Sequence, residues 1–222
     1  MKVFTLFTIL VFTCFFNGKI FAQKVLTEGM LKYSISIESS NGEKQISGSL
    51  NGATLSVYLT KEKSRSEMTS TPGTETTVYD NKNGKGFILK EYSGQKLMIT
   101  TTADNWSQKN MVNTGLNFEA VPGTTTIGVY VCKKAIAKSD NGKNYTVYYD
   151  PSIVIVNNQY NNAFSQLAGL PVQYELSSGN LIFKYTLIGM NMDLLNAGKF
   201  EAPKSGFRIM SYEENQQLKK GE

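Results

Sequence analysis

Few residues in this chain are equipped for chemistry, and their spacing argues against most of it. The 222 residues contain no histidine and 2 cysteines. Without imidazole there is no Ser-His-Asp triad, no Cys-His pair and no histidine metal ligand. Cys132 precedes Lys133 and Lys134, cations that lower a thiol pKa. It has no base or second thiol to work with, and in strand phase it shares a face with Gly128, Tyr130 and Lys134. Cys132 is therefore read as a packed structural cysteine. Asp80-Asn81-Lys82-Asn83-Gly84 superficially resembles a calcium loop, but Lys82 and Gly84 stand where an EF-hand needs oxygen ligands. A hairpin turn is the plainer reading. Glu213-Glu214 are adjacent acids that fit the solvated first turn of a helix better than an acid–base pair. Neither a phosphate loop with its lysine nor a G-x-S-x-G elbow occurs. The residues thus predict a non-enzyme with no cofactor and no metal.

Charge excludes a further class. Lys and Arg number 23 against 18 Asp and Glu, a net +5 that falls to +3 without the leader of residues 1–22, evenly spread and too slight for a nucleic-acid surface. Met1-Lys2 followed by an apolar run over 3–16, with small Ala22 before the polar Gln23-Lys24, has the form of a secretory signal peptide. The run is short of the roughly 20 apolar residues of a membrane span. Cleavage is expected near Ala22, with a competing reading in which Cys14 is lipidated. Residues 1–22 are then the leader and 23–222 a single mature domain of net charge +3, after loss of Lys2 and Lys19. The mature chain holds one thiol and no transmembrane segment, which predicts export to the periplasm or outer-membrane surface.

The elements that must position any site are mostly strands. Asn-Gly occurs at 41–42, 51–52, 83–84 and 141–142, with Ser93-Gly94 and Ser178-Gly179-Asn180 between other runs. Such pairs tolerate the positive φ of tight hairpin turns. The intervening runs alternate: Leu31, Tyr33, Ile35 and Ile37 share one face, as do Ala53, Leu55, Val57 and Leu59. The stretch 125–137 reads as one long strand with Ile127, Val129 and Val131 in phase. About ten antiparallel strands are predicted. A short amphipathic helix is expected over 161–168, where Phe164 meets Leu167 and Ala168 with Tyr160 one turn earlier. Ser211 reads as the N-cap of a last helix, and 102–123 as a long crossover. So few helices cannot cover one face of ten strands. A sandwich, a closed barrel, or a curved sheet around a helical plug would each bury it, and the last leaves an apolar pocket.

Several segments, taken in order, resemble a known group. They are Ser64-Arg65-Ser66-Glu67-Met68, Thr77-Val78-Tyr79-Asp80 and 89–96, then 127–135, Gly169-Leu170-Pro171-Val172, Phe200-Glu201-Ala202-Pro203 and Gly206-Phe207. Over roughly residues 27–212 they resemble an uncharacterised family of secreted proteins of diderm bacteria, similar to the lipoprotein-carrier fold of LolA and LolB. The resemblance implies a mainly β, antiparallel half-barrel with one or two short helices as a lid or plug. It places Tyr160, Phe164 and Leu167 toward the cavity and makes Arg65 a match for an arginine that helps control the carrier's lid. A surface Arg65 paired with a neighbouring acid is the competing reading. Together these point to a binding protein for a lipid, acyl chain or similar hydrophobic ligand. The alternative is an envelope protein–protein interaction module without a cavity, docking through a sheet edge or a loop containing Trp106.

Overall fold

The computed structural model describes residues 23–39, 52–111, 116–138, 144–178 and 181–220. The expected leader with Cys14, the turns at 41–42 and 141–142, Asn51 and Gly179-Asn180 lie outside them. In chain order the strands are β1 (Lys24–Leu26), β2 (Gly29–Ser39), β3 (Thr54–Leu59), β4 (Lys63–Ser70), β5 (Gly73–Asp80), β6 (Lys85–Tyr92) and β7 (Gln95–Thr101). After helix α1 (Ala103–Asn110) come β8 (Asn117–Ile127), β9 (Tyr130–Lys138), β10 (Asn144–Asp150), β11 (Ile153–Ile155), β12 (Leu170–Ser178) and β13 (Leu181–Asn191). Strand β14 (Arg208–Ser211) leads into helix α2 (Tyr212–Lys220).

Twelve strands form one sheet in the order β14-β7-β6-β5-β4-β3-β2-β13-β12-β10-β9-β8. Only β14 runs parallel to its neighbour; β1 and β11 form a separate parallel pair. The outer strands β14 and β8 do not pair, so the sheet is an open half-barrel rather than a closed one. The expected mainly β class holds. The strand count exceeds ten partly because 102–123 carries α1 and the start of β8 rather than a bare crossover.

Turn chemistry explains the hairpins. Ser93 and Gly94 have φ of 50° and 80°, the two positive angles that a two-residue turn between β6 and β7 requires. Asp80 Oδ1 accepts from the Lys82 and Asn83 amides at 3.0 and 3.3 Å, and Gly84 takes φ 68°, closing the next hairpin as a turn. The single strand expected over 125–137 is instead two. Gly128 takes φ 58° and Ile127 pairs with Tyr130 across the turn, which leaves Val129 and Val131 exposed. A two-residue turn interrupts the alternation for only one step, so period 2 reads straight through it.

Directly paired residues point to the same face of a sheet, which makes the layering readable from register. Val57 pairs with Ser66, Ser66 with Thr77, Thr77 with Ile88, and Ile88 with Ile99. That face carries the main core of Leu31, Tyr33, Leu59, Val147, Val172, Tyr174 and Leu187, with Ile88 and Ile99 extending it under Met210 and Tyr212. The other face of β5–β7 carries Val78, Phe87, Leu89 and Met98. It is covered by Leu195, Phe200 and Phe207 from the strap between β13 and β14. Two covers on opposite faces account for strands that are apolar on both sides.

Candidate functional site

Three of the four site candidates, Tyr160, Phe164 and Leu167, lie on the connection between β10 and β12. After β11 the chain forms two short 3-10 turns, Asn158–Tyr160 and Asn162–Phe164, in place of the amphipathic helix expected over 161–168. Backbone bonds there run three residues back, from Phe164 to Asn161, Ser165 to Asn162 and Leu167 to Phe164, and side chains add to them. Asn161 Oδ1 accepts from the Ala163 amide at 3.2 Å, and Ser165 Oγ donates to the Asn162 carbonyl at 3.0 Å. Asn157 is buried just upstream and anchors the segment. Its Nδ2 donates to the carbonyls of Thr60 at 3.0 Å and Lys63 at 3.2 Å, and its Oδ1 accepts from Asn81 Nδ2 at 2.7 Å. Downstream, Gly169 has φ 153°, and a Cβ there would stand 2.5 Å from the Asp150 carbonyl, so only glycine lets the chain enter β12 this closely.

This path turns Ala163 and Phe164 inward. Phe164 meets Tyr174 edge-on at 4.6 Å, Tyr174 stacks on Tyr185 at 4.7 Å, and Tyr33 meets Tyr174 edge-on at 5.6 Å. Phe164, a member of this aromatic cluster, also lines a pocket of about 220 Å³. The pocket brings Tyr160, Phe164 and Leu167 together with Val154, Ile155 and Pro171, while Gln23 and Asn158 supply polar edges.

The buried phenols of this region are held neutral. Burial raises the pKa values of Tyr33, Tyr160 and Tyr174 above the ordinary tyrosine value. Tyr33 Oη donates to the Pro171 carbonyl at 2.9 Å. Tyr160 Oη interacts with Tyr33 electrostatically, but it is fully buried and makes no hydrogen bond to any described residue.

Arg65 is not with the other three. It pairs with Tyr58 on β3 and Val78 on β5, which places it on the opposite face of the sheet, under the strap. Its Nη2 and Nε bond Glu67 Oε2 at 2.7 and 3.3 Å, and its Nη1 donates to the Lys199 carbonyl at 3.0 Å. Arg65 thus pairs with a neighbouring acid and fastens the strap through the Lys199 carbonyl.

Trp106 lies on α1 rather than in a loop, stacked on Tyr79 at 4.1 Å with 5° between the planes. The Thr102-x-x-Asn105 spacing, a reciprocal cap in which each side chain bonds the other's backbone amide, is the signal that could have found this helix. Asn105 Nδ2 also donates to Glu213 Oε1 at 2.7 Å, tying α1 to α2. Cys132 is wholly buried. Burial first and Asp150 second push its thiol up to about 11, which leaves it unreactive at neutral pH. Among the described residues no cluster of three His, Cys, Asp or Glu could hold a metal ion, and no helix is long and apolar enough to cross a membrane.

No family model matches the chain, and no curated protein does. Solved structures do. An uncharacterized conserved protein from Thermus thermophilus is 11% identical with a TM-score of 0.51, over 84% of this chain and 91% of that one. PNGF-II is 11% identical with a TM-score of 0.46 over 86% of this chain; the match spans 32% of PNGF-II, about a third of its length. MucB, in the complex structure of Pseudomonas aeruginosa MucA/MucB, is 10% identical with a TM-score of 0.41, over 79% of this chain and 56% of that one. Identities this low speak to fold alone. The Thermus protein, matched along nearly its full length, shows that this fold also occurs as a chain of similar extent.

Proposed function

We propose that the protein is a non-enzymatic binding module of the bacterial cell envelope, taking the end of an acyl chain or a similar hydrophobic ligand beneath the 158–168 segment. The observation that carries this reading is the convergence of Tyr160, Phe164 and Leu167 on one pocket with Val154, Ile155 and Pro171. An apolar lining with a few polar groups at its edge is the usual form of a small-ligand site. The pocket's 220 Å³ is below the roughly 300–1,000 Å³ typical of such sites, so it suits a chain end rather than a whole lipid. The signal-like residues 1–22 support an envelope location, and the open β fold supports the likeness to lipoprotein carriers.

Native mass spectrometry of protein purified without detergent, with titration of cis-parinaric acid, tests the reading. Saturable binding is expected, weakened about tenfold or more by Leu167→Gln, which places an amide in the apolar wall. Absence of both bound ligand and saturable titration overturns it. Export is checked separately: the mature protein in a periplasmic extract should have the mass of a chain beginning at Gln23.

A further inference from the structure

The 158–166 segment also borders a second space of different character. A groove of about 440 Å³ lies between it and α1, lined by Tyr79, Trp106, the amides of Asn158, Gln159, Asn162 and Gln166, and two serines. None of these side chains is ionised at neutral pH; burial, with Asp80 nearby, raises the Tyr79 phenol further. Tyr79 covers one face of the Trp106 indole, which leaves the other face and the edge as the surfaces this half-buried residue can offer the groove it lines. The side chains of Gln159, Asn162, Gln166 and Ser107 make no hydrogen bond to any described residue, whereas Asn158 Nδ2 is held on the Ser165 carbonyl at 3.1 Å.

These features select a ligand class. Amides offer donors and acceptors side by side and match alternating hydroxyls. The electron-rich face of an indole attracts the weakly positive C–H face of a pyranose ring. A nucleic acid would need cations for its phosphates, and none lines the groove. An aliphatic ligand would leave the amides without partners. The volume falls within the ordinary range for small-ligand sites. We infer that this groove binds a neutral saccharide, with one pyranose ring stacked on the open face of Trp106 and its hydroxyls bonded by Gln159, Asn162 and Gln166.

Trp106 is the one tryptophan in the chain, so intrinsic fluorescence reports on the site directly. The mature protein is titrated with cellotriose, maltotriose and N,N′,N″-triacetylchitotriose. At least one should give a saturable fluorescence change that is insensitive to salt between about 0.05 and 0.5 M, because no ion pair is involved. The double variant Gln159→Ala, Gln166→Ala alters two exposed side chains and keeps the reporter. It should weaken binding about tenfold or more, with an unchanged melting temperature. No saturable change with any of the three up to about 10 mM overturns the inference. So does a double variant that binds as the parent does.

Discussion

Tyr33 Oη reaches from β2 over the intervening strand β13 to donate a 2.9 Å hydrogen bond to the carbonyl of Pro171, at the start of β12. Pro171 lines the apolar pocket, so this bond fixes part of the pocket wall to the sheet. Tyr33→Phe keeps the ring and its edge-on contact with Tyr174 while removing the bond. A loss of about 0.5–1.5 kcal/mol is expected, and with it a Tm lower by roughly 1–6 °C. A variant that melts with the parent would mean the bond contributes nothing.

Asn157 has a larger role than its place in a loop suggests. One buried amide binds the Thr60 and Lys63 carbonyls of the β3–β4 turn and the Asn81 side chain of the β5–β6 turn. Those two turns form the rim against which the pocket-bearing segment rests. Asn157→Ala takes the donor from the Thr60 carbonyl and the acceptor from Asn81 Nδ2, while the Lys63 carbonyl keeps the Thr60 amide at 2.9 Å, and it is expected to cost about 2 kcal/mol or more. The melting temperature should fall by roughly 4–8 °C. Hydrogen exchange should show the β3–β4 turn opening first; uniform loss of protection across the sheet would contradict a local anchor.

Arg65 separates two roles by the face it occupies. It bonds the Lys199 carbonyl of the strap, and Tyr58, its neighbour on that face, lies under the Lys199 ammonium at 4.3 Å. Arg65→Ala should therefore raise proteolytic cleavage near Lys199 several-fold, since opening of that segment governs access. Titration of cis-parinaric acid should be unchanged. A variant that loses ligand binding and keeps the strap protected would return Arg65 to the pocket.

The same residue shows how far the amino-acid order reaches. Alternation in β2 and β3, the Ser93-Gly94 turn and the Ser211 cap are local, and each is legible because its physics is local. Ser211 Oγ accepts from the Glu214 amide at 3.1 Å as an N-cap does, and the Ser211 amide donates to Glu214 Oε2 at 2.6 Å. Tyr160, Phe164 and Leu167 can be named because they fall within one short segment. The side of Arg65 is a different matter. Parity puts Arg65 opposite Ser64 and Ser66 on its strand, but this sheet is covered on both faces. Which cover meets which face depends on where the distant strap and the 158–168 segment fold back. Asn157 is illegible for the same reason, since its partners lie 94 and 97 residues away and 76 residues away. In 161–168 the apolar residues face the pocket as their spacing predicts, but the amides of Phe164, Ser165 and Leu167 bond three residues back rather than four, so the chain makes a tight turn capped by Asn161 in place of a helix.

Cys132 ties stability to alkaline pH in a way that isolates a single group. Burial first, then Asp150, raises its folded-state pKa to about 11, whereas an unfolded thiol titrates near about 8.5. As pH rises the unfolded chain loses this proton first. The contribution is therefore complete below about pH 8.5 and is lost progressively as pH climbs toward the folded value. Urea midpoints should be flat from about pH 7 to 8 and decline above about pH 9. The buried phenols of Tyr33, Tyr160 and Tyr174 are raised by burial too, and they add the same sign above about pH 10. Cys132→Ala removes the thiol and retains the phenols, so the difference between the two proteins reads the thiol alone. That difference should be constant at neutral pH and shrink between about pH 8.5 and 10, where the parent loses stability that the variant never had. Thiol labelling gives an independent check: a disulfide reagent at pH 8 should modify native Cys132 about 100-fold or more slowly than the urea-unfolded chain. Prompt labelling of the native protein would place the thiol in contact with solvent and contradict its burial among the core side chains of β9 and β10.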